Sequence, residues 1–144
     1  MSDAPIDVPP DLHVLVEHQV WARPNAAGDE AVVGITALGI HLAGEIYMCR
    51  PKQPGTAVVR GQSIAVVELA KSIVSVKSPV SGVVVAVNPA LAAQPERVHR
   101  DPWGDGWLAR VALTDWPADA AALQHGDALA AAMRHHAWLN RAEG

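Results

Sequence analysis

The sequence predicts a mainly β protein, a small barrel or sandwich of short strands with helical additions. Three observations carry that expectation. Between Thr56 and Asn88 stand three Val- and Ile-rich runs, "SIAVVE" (63–68), "SIVSVK" (72–77) and "GVVVAVN" (82–88). Short turns separate them, and Gly and Pro punctuate the chain between apolar runs. From Pro117 onward the composition shifts to Ala, Leu and His, which suits one or two helices packed on a β core.

Taken in order, "MSDAPIDVPPDL" is acidic and Pro-rich, with no basic segment and no apolar run behind it. It reads as a flexible lead-in over residues 1–11 rather than a secretory signal. "HVLVEHQVWARP" (13–24) reads as one strand stopped by a Pro, "NAAGDE" as a turn, and "AVVGIT" (31–36) as a second strand closing a hairpin with the first. "ALGIHLAG" (37–44) takes helical spacing, with Leu38 and Leu42 four apart and Gly44 as the stop. "EIYMC" (45–49) returns to extended character, and "RPKQPG" (50–55) reads as a loop.

The three Val-rich runs follow. A buried helix would also explain them, but β-branched side chains lose rotamer freedom in a helix and pack well on a pleated sheet. "PALAAQPERVHR" (89–100) reads as a short helix with irregular chain, "DPWGDG" (101–106) as turns and "WLARVAL" (107–113) as a strand. In the C-terminal helical region Leu129, Met133 and His136 share one face.

At 144 residues the chain suits one domain, and with half its residues hydrophobic and 18% charged it has the material for a real core. Fifteen acidic against eleven basic residues give a net charge of −4 with no dense Lys/Arg block. That argues against nucleic acid or an anionic membrane as partner. No apolar run approaches the roughly 20 residues of a membrane span. Cys49 is the sole cysteine, so no internal disulfide forms and a reducing cytoplasm is the expected location.

Lys71 and Lys77 stand inside one of the most apolar stretches, "VVELAKSIVSVKSPVSGVVVAVN" (66–88). The turn between the first two runs is "LAKS" (69–72), which lacks Gly and Asn and so suits a type I geometry without positive φ. Lys71 then sits at a hairpin tip, in water, on a four-carbon stem, a position that suits covalent modification. On local pattern alone a solvated hairpin lysine also explains Lys71, and a charged strand terminus explains Lys77.

The stretch resembles the lipoyl-attachment region of the glycine cleavage system H proteins. Those carry a Glu three residues before the modified lysine and a "PVSG" whose Pro follows it by eight. Here Glu68 precedes Lys71 by three and Pro79 follows it by eight, whereas Lys77 lies two residues before Pro79. The register therefore selects Lys71. The likeness extends along the chain through "EHQVWAR" (17–23), "VGIT" (33–36), "GEIYMCRPKQPGTAVVRGQSIAVVE" (44–68), "VNPAL" (87–91), "PERV" (95–98) and "DPWGDGWLARVAL" (101–113).

The resemblance implies a flattened lipoyl/biotinyl-type β-barrel of two antiparallel sheets, a barrel-sandwich hybrid with short helices and a C-terminal helix. It implies a single carrier domain over residues 12–144, a monomer, with lipoate amide-linked to Lys71. Biotin carriers usually flank their lysine with methionines; Ala70 and Ser72 stand here instead. Such a carrier is not itself a catalyst, because the cofactor supplies the chemistry. Lipoyl-attaching enzymes would recognise the hairpin with Glu68 as recognition neighbour, or Glu68 keeps the hairpin soluble. In the family the arm serves glycine decarboxylase and an aminomethyltransferase, and a dihydrolipoyl dehydrogenase reoxidises it.

Two segments depart from the family pattern. Ile73 and Val74 replace the small polar and acidic residues usual after the lysine, and "GEIYMCRPK" replaces an acidic, Leu-Pro-containing segment. These changes are more similar to the H-like lipoate-binding proteins of bacterial sulfur oxidation. They favour a carrier of sulfur intermediates or electrons for a heterodisulfide-reductase-like complex over glycine cleavage. An unmodified H-like scaffold is a further alternative.

Other residues read as structural. Gly82 is expected to permit the bend after "PVS". Cys49 fits a small buried hydrophobe better than a thiol exchanging with a lipoyl disulfide. His135 and His136 point about 100° apart on a helix and make a poor ligand pair, so no metal is expected. Core packing accounts for Trp103 and Trp107. No Ser/His/Asp set, paired carboxylates or phosphate-cradling Gly loop is evident.

Overall fold

The computed structural model describes residues 5–140, so the first four residues of the expected lead-in and the last four of the chain lie outside the described part. Its strands form two antiparallel sheets. The larger runs in the order β1 (His13–Leu15), β2 (Val20–Pro24), β3 (Glu30–Ile35), β9 (Ala109–Leu113), β8 (Gly82–Val87) and β5 (Ala57–Val58). The smaller runs β4 (Met48–Pro51), β6 (Ser63–Glu68), β7 (Ile73–Lys77). The short helices are α1 (Ala37–Ala43), α2 (Arg97–Arg100) and α3 (Trp116–Ala122), and α4 (Asp127–Leu139) closes the described chain.

The pleat sends alternate side chains to opposite faces, and this alternation builds the core. Val20, Ala22, Val33, Val84 and Val111 of the large sheet meet Cys49, Ile64, Ala65, Val67 and Val76 of the small one in a single cluster. Ile64 and Ala65 are consecutive yet both buried, because the β6–β7 register shifts between Ser63 and Ala65 and the bulge turns both inward. A second cluster, of Leu12, Val14, Trp21, Leu38, Leu129 and Met133, brings α1 and α4 against the chain around β1 and β2. Ile6 and Val8, in the segment expected to be a lead-in, pack on this cluster.

Trp21 is central to the second cluster. Its indole N–H reaches the carbonyls of Ile35 and Pro102, each at 3.1 Å. Its ring occupies the place of a side chain on its cross-strand neighbour Gly34, where a Cβ would come within 2.5 Å of it. Trp103 and Trp107 pack against the same cluster.

The expected strand over 13–24 is two strands. The chain reverses at Val16–Gln19, and β1 pairs antiparallel with β2, Leu15 opposite Val20. Neither Gly nor Asn marks this turn; Gln19 itself takes φ 55°. Its buried amide compensates by donating to the Val16 carbonyl at 2.8 Å and accepting from the Thr36 hydroxyl. Thr36 in turn caps α1 through Gly39 N–H at 2.9 Å, and Gly44 ends that helix at φ 82°. β4 also runs past its expected end into Pro51, which an edge strand tolerates because the missing N–H faces no partner.

Gly82 has a different role from the expected bend. It opens β8 between Val58 and Leu113, and a Cβ there would run into the carbonyl oxygen of Ala112. The residue is small because two backbones approach closely. The segment ahead of it is clamped by Asp119 of α3, whose buried carboxylate accepts from Ser81 N–H at 3.0 Å and pairs with Arg60 at 2.7 Å. Gly82→Ala is therefore expected to cost about 1–3 kcal/mol in urea unfolding by forcing β8 and β9 apart. An unchanged unfolding midpoint would contradict this packing.

Candidate functional site

The β6–β7 hairpin pairs Ala65 with Val76, Val66 with Ser75, Val67 with Val74 and Glu68 with Ile73. The Leu69 N–H donates to the Ser72 carbonyl at 2.8 Å, and the partly buried Leu69 side chain rests on the main core. Ala70 and Lys71 form the exposed tip beyond that bond. The tip has no residue at positive φ, as a turn without Gly or Asn requires.

Lys71 projects from the tip with no hydrogen bond or ion pair on its amine among the described residues. An amine in water with no competing partner is sterically free to be acylated. Glu68 lies at the same end of the hairpin but turns to Arg50 on β4, 3.3 Å away, rather than to Lys71. Lys77 stands at the other end, half-buried, its amine 3.3 Å from Ser75 Oγ. The structure thus groups Glu68 with Lys71 and separates Lys77 from both.

Beside the hairpin lies a shallow groove of about 200 Å³. Val67, Val74 and Val76 line it from the hairpin, Leu42 and Ile46 from α1 and its following loop, and Glu17, His18 and His136 add polar groups. Burial and the neighbouring His135 lower the pKa of His136, so its ring is biased toward the neutral form. The sequence reading did not assemble this groove. Glu17 and His18 reach it only because the chain reverses at Val16–Gln19, a turn without Gly, Pro or Asn.

Cys49 is 2% exposed and sits opposite Val67, in the core. Burial pushes its thiol up to about 12, which removes it from thiol exchange at neutral pH. His135 stacks on Trp138, and among the described residues no group of three or more His, Cys, Asp or Glu is placed to hold a metal ion. Among the same residues no helix is long and apolar enough to cross a membrane.

A two-sheet scaffold whose buried thiol is inert and whose hairpin lifts one unpaired lysine into water has the form of a carrier protein. The comparisons with known proteins agree. The glycine cleavage H-protein family matches residues 12–136. The probable glycine cleavage system H protein of Haloarcula marismortui is 42% identical over 109 residues, 76% of this chain and 84% of that protein. The glycine cleavage system H protein of Magnetococcus marinus is 35% identical over 134 residues, 93% of this chain and 89% of that protein. The crystal structure of a glycine cleavage system H protein from Mycobacterium marinum superposes with a TM-score of 0.73 at 27% identity, covering 92% of this chain and 98% of that one.

The chain belongs to the glycine cleavage H-protein family, whose members are non-catalytic carriers of lipoate held covalently on a lysine. The expected two-sheet fold with a C-terminal helix is the one observed.

The Cys49 environment sets a pH dependence. Its folded pKa is raised, so its contribution is complete below the unfolded value of 9.0 and is lost as pH rises toward about 12. Across that window stability falls by about 1.4 kcal/mol per pH unit. Urea midpoints of the wild type should therefore fall more steeply than those of Cys49→Ala above about pH 9. Parallel slopes, or titration of the folded thiol by Ellman's reagent at neutral pH, would contradict the buried assignment.

Proposed function

We propose that this chain is the lipoyl carrier of a glycine cleavage system, with lipoate amide-linked to Lys71. One observation carries the assignment of the site: on an H-protein scaffold, Lys71 is the exposed tip residue of the β6–β7 hairpin with its amine unpaired. When attached, the lipoyl group supplies a disulfide and dithiol couple that takes up the aminomethyl group with two electrons and passes them on.

The chain's own residues do the presenting. The core-anchored strands hold the base of the hairpin still, and Leu69 closes it. Glu68, drawn to Arg50, keeps its carboxylate beside the tip, where a lipoyl-attaching enzyme meets it. The groove offers valine and leucine surface suited to the hydrocarbon of an arm, and Glu17, His18, Ser75 and His136 add polar groups able to meet a polar cargo. Tethering holds the arm at high local concentration for each partner in turn. Those partners are glycine decarboxylase, the aminomethyltransferase and dihydrolipoyl dehydrogenase, in a reducing cytoplasm, with residues 12–144 acting as a monomeric carrier domain.

The departures in the hairpin and in "GEIYMCRPK" point instead to sulfur oxidation. The relatives named above are all glycine cleavage H proteins, and they support the aminomethyl assignment over that one. The altered hairpin still favours sulfur chemistry as a second reading, since Ile73 and Val74 stand exposed where the family is polar.

Intact and peptide-mapped masses after co-production with lipoyl-attaching enzymes test the site. The expected result is one lipoyl mass, lost in Lys71→Arg and retained in Lys77→Arg. Modification that follows Lys77 would overturn the register, and an unmodified wild type would leave a scaffold role.

A further inference from the structure

Beyond Glu68 and Arg50, the outer face of the small sheet presents a wider surface next to the tip. Its cross-strand rows are Met48–Glu68–Ile73 nearest the tip and Arg50–Val66–Ser75 behind. Ile73, 70% exposed, Val66, 36% exposed, and the half-buried Met48 form an apolar cluster, one residue per strand, around Glu68, whose carboxylate pairs with Arg50 at 3.3 Å. Cations border this cluster on both edge strands. Arg50 and the exposed Lys52 stand along and just past β4, and Lys77 stands on β7 with its amine turned to the outward Ser75. With Lys71, four cations stand on or beside this face, and Glu68, already paired with Arg50, is the acidic residue in its outward rows among the described residues. Acylation neutralises Lys71 but leaves Arg50, Lys52 and Lys77.

We propose that this face docks partner enzymes through a surface with an apolar centre and an acidic rim. This rests on Lys71 as the carrier residue, because a partner reaching the tip meets the adjoining sheet face first. On a chain of net charge −4, a local excess of cations around exposed apolar side chains selects an oppositely charged rim and repels a basic one. Three lasting cations are too few for a lipid surface, which calls for clusters of about 4–8.

The test measures binding rather than turnover. Lipoylated wild type, the double variant Lys52→Glu with Lys77→Glu, Ile73→Asp and the remote control Arg134→Glu are each titrated with purified glycine decarboxylase, after unfolding midpoints confirm that they fold. At about 0.1 M salt the double variant and Ile73→Asp should bind about tenfold more weakly than wild type, and Arg134→Glu should match it. At about 1 M salt the gap between wild type and the double variant should close, while that for Ile73→Asp persists.

Equal or tighter binding by the double variant overturns the proposal, as does wild-type binding to phosphatidylserine vesicles without binding to the enzyme. If the lipoylated wild type binds neither, the glycine cleavage reading fails, and the face is judged on the lipoyl-attaching enzyme. The same ranking in the rate of lipoylation upholds it, and equal rates overturn it. A wild type that takes no lipoyl mass removes the carrier reading and this proposal with it.

Discussion

The hairpin that carries Lys71 owes its position to side chains on its other end and other face. Val67 and Val76 point into the cluster shared by the two sheets, and the bulge at Ile64 adds a second consecutive buried residue there. Because the pleat alternates, that burial commits Val66, Glu68, Ile73 and Ser75 to the outside. A one-residue slip would bury Glu68 and expose Val67, so the register is fixed by the cost of burying a charge. The tip can then be short and polar-backed without needing glycine flexibility. Beyond β7, Asp119 holds the Ser81 amide and Gly82 lets β8 close against β9. The "PVSG" segment that follows the lysine is thus framework, with Val80 fully buried, and it anchors the end of the hairpin opposite the tip.

Much of this was legible because it is written in patterns with a physical cause. The strands of "SIAVVE", "SIVSVK" and "GVVVAVN" fall within a residue of their expected bounds, since β-branched runs bounded by turns have few other places to go. The helix over 37–43 was marked by spacing and by Gly44. The reversal at Val16–Gln19 was not legible: "VEHQ" holds no Gly, Pro or Asn, and the left-handed Gln19 is supported by its side chain's bonds to the Val16 carbonyl and to Thr36, the second of which is tertiary. The groove was hidden for the same reason, because it is assembled from that turn, from α1 and from His136 near the end of α4. Gly82 was recognised as structural, but its close approach to Ala112 comes from a strand pairing that local sequence does not show.

The site shows how little of a carrier's chemistry lies in its own side chains. The single thiol is shut in the core, the lysine is left unpaired, and the surrounding strands contribute rigidity and a surface. The hairpin departs from its family in what it shows to partners rather than in how it folds. Ile73 stands on the outer face and Val74, opposite Val67, lines the groove, both exposed, while the buried Val67 and Val76 keep the core intact. Selection on partner contacts can therefore change this loop without unfolding the barrel.

The central claim is that this scaffold carries a one-carbon group from glycine on the arm at Lys71. The most direct measurement is the mass of the Lys71 peptide after the lipoylated protein is incubated with glycine decarboxylase, its pyridoxal cofactor and glycine labelled with carbon-13 at the methylene carbon. The account predicts that the methylene label stays on that peptide with its nitrogen while the carboxyl carbon leaves as carbon dioxide. A lipoylated peptide that gains no label there, yet gains sulfur when offered to a heterodisulfide-reductase-like complex with a reduced sulfur donor, would contradict it.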